Sequence, residues 1–122
     1  MKRVLDIGNC GPDHASLTRF FLKHFGAEVA QANLAADALA KLKEQSFDLA
    51  VVNRKLDADY SDGIEVIKQL KADPATAELP VMLITNYPEH QDAAEKVGAL
   101  RGFGKLELEK PETVERCRAV LG

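Results

Sequence analysis

The sequence predicts a single α/β domain, residues 1–122, in which five strands alternate with five helices. The clearest strand is residues 47–53, a nearly unbroken apolar run with two valines before its last residue, Asn53. Such runs are typical of strands that are buried on both faces of a parallel sheet. The second observation is the regular alternation of apolar runs with segments of helical periodicity. This alternation predicts right-handed crossovers and helices on both faces of the sheet.

The other elements follow the same alternation. Four further apolar runs predict strands, the last of them weakened by its two glycines: residues 3–7, 28–32, 81–85 and 100–106. Apolar residues at helical spacing predict five helices: residues 14–25, 34–45, 64–72, 89–97 and 111–121. We expect Asp13 and Asn33 to cap the first two helices, and Gly26 to end the first.

Composition and charge exclude several classes of protein. Hydrophobic residues make up 46% and charged residues 29% of the chain, which indicates a folded domain rather than a disordered one. The net charge is -3, and no basic stripe indicates nucleic-acid binding. The longest apolar runs, such as residues 81–84, are too short to cross a bilayer, and residues 1–4 lead into a strand without a signal-peptide core. We therefore expect a cytoplasmic domain with no membrane or nucleic-acid partner.

No motif for metal binding or catalysis stands out. Cys10 and Cys117 are far apart and are expected to be free thiols. Asp57, Asp59 and Asp62 share one loop, but the loop lacks the glycine and the distal glutamate of a calcium site. The serines have no nucleophile elbow around them. We therefore expect no metal, no cofactor and no enzymatic activity.

Five short segments, in order and at matching intervals, resemble one known family. The first three are the start of the second helix, which ends in Asp-Ala-Leu (residues 32–39), the third strand (47–53) and the Gly-Ile-Glu start of the third helix (63–67). The other two are the fourth strand from Leu-Pro to Thr85 (79–85), and Gly98-Ala99 followed by Lys105. Together they resemble the receiver domain of two-component response regulators over essentially the whole chain. The resemblance implies a flavodoxin-like, doubly wound sheet with the strand order 2-1-3-4-5.

The resemblance also implies a site at the carboxyl edge of the sheet. In the family, an aspartate that ends the third strand accepts a phosphoryl group, and an acid pair after the first strand helps to hold Mg²⁺. A hydroxyl residue and a lysine contact the phosphoryl oxygens. The last two positions are Thr85 and Lys105 in this chain. The phosphoacceptor position is Asn53, and the acid pair aligns with Gly8 and Asn9.

These departures predict a degenerate receiver, or pseudo-receiver. Asparagine carries no charge and is not a nucleophile for acyl-phosphate formation, so we expect neither phosphorylation nor Mg²⁺ binding. We expect Asn53 to hydrogen-bond Lys105 or backbone groups. The position of the family's aromatic switch residue is Gly102, which has no side chain.

The sequence leaves two assignments open. Asp6 becomes a member of the acid pair if the first strand ends two residues earlier. Lys110, which precedes a proline as the family lysine usually does, is an alternative to Lys105.

The leading functional hypothesis is signal transduction through protein–protein interaction with a signalling protein or a second copy. The resemblance implies a binding face made by the fourth helix, fifth strand and fifth helix: residues 89–97, 101–106 and 113–121. One alternative is a working phosphoacceptor in a phosphorelay, with rearranged acids. The other is a sensor of small anions at Asn53, Thr85 and Lys105, with Arg54 and Lys55 as further cations.

Overall fold

A computed structural model describes residues 1–122 and contains one five-stranded parallel sheet in the order β2-β1-β3-β4-β5. The strands are β1 (Arg3–Ile7), β2 (Glu28–Ala32), β3 (Leu49–Asn53), β4 (Val81–Ile84) and β5 (Leu100–Phe103). The helices are α1 (Gly11–Phe25), α2 (Ala35–Glu44), α3 (Gly63–Ala72), α4 (Pro88–Lys96) and α5 (Pro111–Leu121). The predicted fold class, number of helices and strand order are confirmed.

Both faces of the sheet are buried, each in its own apolar cluster. The side chains of each strand point alternately to the two faces, so neighbouring residues of a strand belong to different clusters. Leu5 and Ile7 of β1 belong to one apolar cluster with α2, α3 and α4. Val4 belongs to a second cluster with α1 and α5, which includes Cys117. Burial raises the pKa of the Cys117 thiol to about 12, so this free cysteine is a core residue rather than a reactive one.

The two predicted helix caps are wrong. Helix α1 begins at Gly11, with Pro12 in its first turn, so Asp13 lies inside the helix and Cys10 is the N-cap residue. Proline is tolerated in this turn because the first N–H groups of a helix have no intrahelical partner. Helix α2 begins at Ala35, and Asn33 precedes its N-cap residue, Leu34. The Asp37 carboxylate accepts a hydrogen bond from the Leu34 N–H at 3.3 Å.

The end of α1 agrees with the prediction, whereas the region after β5 does not. Gly26 ends α1 in the left-handed conformation, with φ 61°, as predicted. Strand β5 is shorter than predicted and ends at Phe103, because a 3₁₀ turn, Lys105–Glu107, follows it. This turn places Lys105 beside α1 rather than in the sheet. None of the helices combines the length and the apolar character that a membrane crossing requires.

The start of α3 gives a test of the fold. A Cβ atom added at Gly63 would lie 2.1 Å from the carbonyl oxygen of Asn53, so Gly63→Ala must separate α3 from the end of β3. We expect this variant to lose about 1–3 kcal/mol of unfolding free energy in chemical denaturation. Gly11→Ala is the matched control, because no atom lies within 4 Å of its added Cβ. Equal stability of the two variants would contradict the close approach.

Candidate functional site

Asn53 lies at the carboxyl edge of the sheet, and its side chain is hydrogen-bonded to backbone carbonyl groups. It is the last residue of β3, which runs between β1 and β4. Its Nδ2 donates hydrogen bonds to the carbonyl oxygens of Lys55, at 2.8 Å, and Gly8, at 3.3 Å. The expected contact with backbone groups is therefore present, whereas the expected contact with Lys105 is not formed.

Leu56 closes the space beside Gly8. Gly8 follows β1 directly and has a φ of 81°, which favours glycine. A Cβ atom added there would lie 2.4 Å from Cγ of Leu56, a fully buried side chain. The N–H of the next residue, Asp57, donates to the Gly8 carbonyl at 2.8 Å and holds the loop in place. Position 8 therefore accommodates no larger side chain in this arrangement.

Asp6 lies in the middle of the sheet and not at its edge. It pairs in register with Val51, and its side chain is fully buried. Its Oδ1 accepts a hydrogen bond from Asn9 Nδ2 at 2.6 Å, and its Oδ2 lies 2.7 Å from His14 Nδ1 on α1. Burial raises the pKa of the Asp6 carboxyl, although both contacts and the charges of His14 and Lys105 oppose that change. Both carboxylate oxygens are therefore occupied inside the protein.

The Asn9 side chain is a hydrogen-bond partner of Asp6. Its side chain is buried, and its Nδ2 is used by Asp6. Its Oδ1 is the one buried side-chain nitrogen or oxygen atom without a hydrogen-bond partner. Asn9 thus contributes a single neutral oxygen with no other partner.

Lys105 pairs with an acid on α1. Its Nζ lies 2.7 Å from Oδ2 of Asp13, and Cys10 Sγ donates to the same oxygen at 3.2 Å. The hydrogen bond with Lys105 is the main reason that the pKa of the Asp13 carboxyl is lowered. Lys110, the alternative lysine, is an exposed N-cap residue of α5. The lysine at this edge is therefore Lys105.

Thr85 contacts the start of α4. Its Oγ1 accepts a hydrogen bond from the N–H of Tyr87 at 3.3 Å and lies 3.4 Å from Nδ1 of His90. Asn53, Thr85 and Lys105 thus reach the same edge of the sheet, but each has its own partners and none hydrogen-bonds another. A groove of about 530 Å³ lies at the opposite edge, between residues 42–48 and residues 75–80.

Comparison with known proteins identifies the family. Residues 11–120 match the family model described as response regulator receiver domain. The chain belongs to this family.

Curated relatives of this receiver domain are named transcriptional regulatory protein ZraR. The protein from Klebsiella oxytoca is 32% identical over 113 residues, which are 86% of this chain and 25% of the relative. The protein from Escherichia coli (strain K12) is 36% identical over 90 residues, which are 71% of this chain and 19% of the relative. The receiver domain therefore spans a quarter or less of the length of these relatives.

Solved structures agree with the fold. The signal receiver domain of the DNA binding response regulator merR from Colwellia psychrerythraea 34H has a TM-score of 0.80 at 22% identity, covering 98% of this chain and 97% of that one. The chemotaxis protein CheY4 of Vibrio cholerae has a TM-score of 0.72 at 24% identity, covering 99% and 96%. At these identities the likeness concerns the fold alone.

The residues of this receiver domain do not fit the Mg²⁺ that the family implies. Mg²⁺ requires several oxygen ligands in near-octahedral geometry. Gly8 offers no side chain, Leu56 fills the space beside it, and both oxygens of Asp6 have protein partners. No group of three or more histidine, cysteine, aspartate or glutamate side chains is placed to hold a metal ion.

Two acids of the charged loop after β3 accept hydrogen bonds from within the chain. The Asp59 carboxylate accepts hydrogen bonds from the N–H and the hydroxyl of Ser61. Asp62 is the N-cap residue of α3 and accepts from the Ile64 N–H at 2.9 Å. Arg54 and Lys55 form no ion pair within the chain. Asp59 and Asp62 therefore shape the turn into α3.

Sequence reasoning missed the roles of Asp13, His14 and Leu56. An acid and a histidine in the first helix carry no motif, and their partners Lys105 and Asp6 are identified only by the packing of α1 on the sheet. The apolar residue Leu56 inside a polar loop was the one available signal. Such a residue marks a loop that packs back onto the domain.

The Asp13–Lys105 pair gives a pH-dependent prediction. A lowered pKa in the folded state means that ionised Asp13 stabilises the fold above its ordinary pKa of 3.8, and that this contribution is lost as the pH falls through the lowered value. We expect Asp13→Asn to reduce stability by no more than about 1 kcal/mol at neutral pH, since the pair is partly exposed. Thermal unfolding of wild type and variant should converge in acid.

A double-mutant cycle with Lys105→Gln is the control for this pair. Each single variant should remove the same interaction, so the double variant should be hardly less stable than either. Fully additive losses at neutral pH would show that the two side chains do not interact.

Proposed function

We propose that this receiver domain of two-component signalling acts by protein–protein interaction and is not phosphorylated. The observation that carries the proposal is the commitment of the Asn53 amide, at the family's phosphoacceptor position, to the carbonyl oxygens of Gly8 and Lys55. The nitrogen lone pair of an amide is delocalised into its own carbonyl group, and asparagine offers no carboxylate oxygen to attack phosphorus.

The surroundings of Asn53 support the same conclusion. Gly8 and Asn9 stand where the family has its acid pair, and Leu56 leaves no room for a side chain at position 8. Phosphoryl transfer relies on cations that offset the charge developing on the phosphoryl oxygens. Here the metal ligands are missing, and the charge of Lys105 is neutralised by Asp13.

One rival has a specific observation in its favour. A phosphoacceptor with rearranged acids needs an accessible carboxylate, and Asp13 is partly exposed and lies beside Lys105. Asp6, the acid in β1, is fully buried, and both its oxygens are engaged. The rival therefore requires Asp13, whose pairing with Lys105 we interpret as structural, or an acid of the loop after β3 such as the exposed Asp57.

The proposed binding surface is the α4–β5–α5 face. Leu106 is 84% exposed, and Leu100 on β5 and Tyr87, the N-cap residue of α4, are also large exposed apolar residues. Arg101 on β5 contacts Asp92 and Glu95 on α4, at 2.6 and 2.7 Å. Exposed apolar side chains among charged ones are typical of a protein-binding patch. The partner we propose is a signalling protein or a second copy of the chain, and not nucleic acid or membrane.

Incubation with acetyl phosphate and Mg²⁺ tests whether the domain is phosphorylated. Intact mass should show no adduct on the wild type. Asn53→Asp should also stay unmodified, because restoring one carboxylate does not create a metal site beside Gly8 and Leu56. A receiver domain with the full acid set serves as the positive control. A hydroxylamine-sensitive adduct on the wild type would overturn the proposal, and its loss in Asp13→Asn would identify the rearranged acceptor.

The binding face is tested with two leucines that are both exposed. Leu106→Glu places a charge in the proposed face, whereas Leu22→Glu places the same charge on α1, at a side chain that is 60% exposed. We expect Leu106→Glu to weaken self-association in sedimentation equilibrium, or complex formation with the cognate signalling protein, about tenfold or more. Leu22→Glu should leave both unchanged. The opposite ranking would move the interface to α1.

A further inference from the structure

The contact between β4 and β5 is irregular where α4 crosses it. Met82 pairs with Leu100, and Ile84 pairs with Phe103, so β5 has one residue more than β4 between the two pairs. Arg101 and Gly102 therefore stand opposite the single residue Leu83. A bulge of this kind disrupts the ladder locally, and the buried backbone groups beside it require other hydrogen-bond partners.

One side chain of α4 supplies these partners. Gln91 is only 5% exposed, and its Oε1 accepts a hydrogen bond from the Gly102 N–H at 2.8 Å. Its Nε2 donates to the carbonyl oxygen of Leu83 at 2.9 Å and to that of Thr85 at 3.3 Å. A single buried amide thus joins α4 to both strands at the bulge.

Gly102 is required for this arrangement. A Cβ atom added there would lie 2.2 Å from the carbonyl oxygen of Leu83, the same oxygen that Gln91 uses. The Gly102 carbonyl in turn accepts a hydrogen bond from Arg116 Nη1 of α5 at 3.0 Å. The two backbone groups of Gly102 therefore connect α4 on one side and α5 on the other.

We propose that Gln91 is a positioning residue, whose amide holds α4 on β4 and β5 so that the α4–β5–α5 face has one conformation, through hydrogen bonds of which none is made to Asn53. This inference rests on the proposed function only in taking that face as the binding surface. Breaking buried hydrogen bonds leaves the Gly102 and Leu83 groups unsatisfied, and so α4 cannot leave the sheet without a large cost. Partner binding then requires no prior ordering of the face.

Amide hydrogen exchange measured by NMR on the intact chain tests the role of Gln91. Gln91→Met keeps a side chain of similar length and removes all three hydrogen bonds. We expect the Gly102 amide and the α4 amides to exchange about tenfold faster or more in this variant, with β1 and β3 unchanged. Gln31→Met is the matched control, since it removes one side-chain hydrogen bond, to the Asn9 carbonyl, at the other side of the sheet.

Two results would overturn the inference. One is unchanged protection of Gly102 and α4 in Gln91→Met. The other needs only the wild type: exchange of the Gly102 amide at the rate of an unprotected residue would exclude the hydrogen bond to Gln91, even where the variant fails to fold. Neither result depends on phosphorylation. A covalent adduct on an aspartate would instead refute the proposed function and leave the exchange result standing.

Discussion

The contact of Leu56 with Gly8 is the constraint on which the carboxyl edge of this receiver domain depends. The loop after β3 packs back onto the end of β1, with Leu56 fully buried and the Asp57 N–H bonded to the Gly8 carbonyl. That carbonyl also accepts from the Asn53 amide. Because an apolar side chain fills the space beside position 8, the loop, the glycine and the neutral Asn53 form one consistent arrangement that does not require a metal ion.

The charged side chains in this part of the domain make their contacts with α1 and the residues next to it. Asp6 is bound by Asn9 and His14, and Asp13 is bound by Lys105 and Cys10. A buried carboxylate is costly unless it has partners, and these contacts supply them. Carboxylates and lysine therefore hold α1 against β1 and the turn after β5, and their charges are balanced within the protein rather than presented to a ligand.

The opposite side of the domain is joined by a different set of polar contacts. Gln91 fills the bulge between β4 and β5, Arg116 reaches the Gly102 carbonyl, and Arg101 contacts two acids of α4. The family resemblance aligns Gly102 with an aromatic switch residue, and in this chain a hydrogen-bonded glutamine lies against Gly102. The proposed binding face is thus connected to the sheet by contacts that do not involve Asn53.

The sequence by itself determined the fold class, the strand order through the family resemblance, and the positions of Asn53 and Thr85 at one edge of the sheet. These features follow from local patterns, because buried parallel strands are continuous apolar runs and their carboxyl ends lie together. Only the tertiary structure decided the partners of the polar side chains. Asp13 has the residue type of a helix cap, yet it lies inside α1 and pairs with Lys105, which is remote in sequence and is brought beside α1 by the turn after β5. Asp6, Leu56 and Gln91 likewise have roles set by whichever backbone or side chain packs against them, and no pattern of neighbouring residues encodes such contacts.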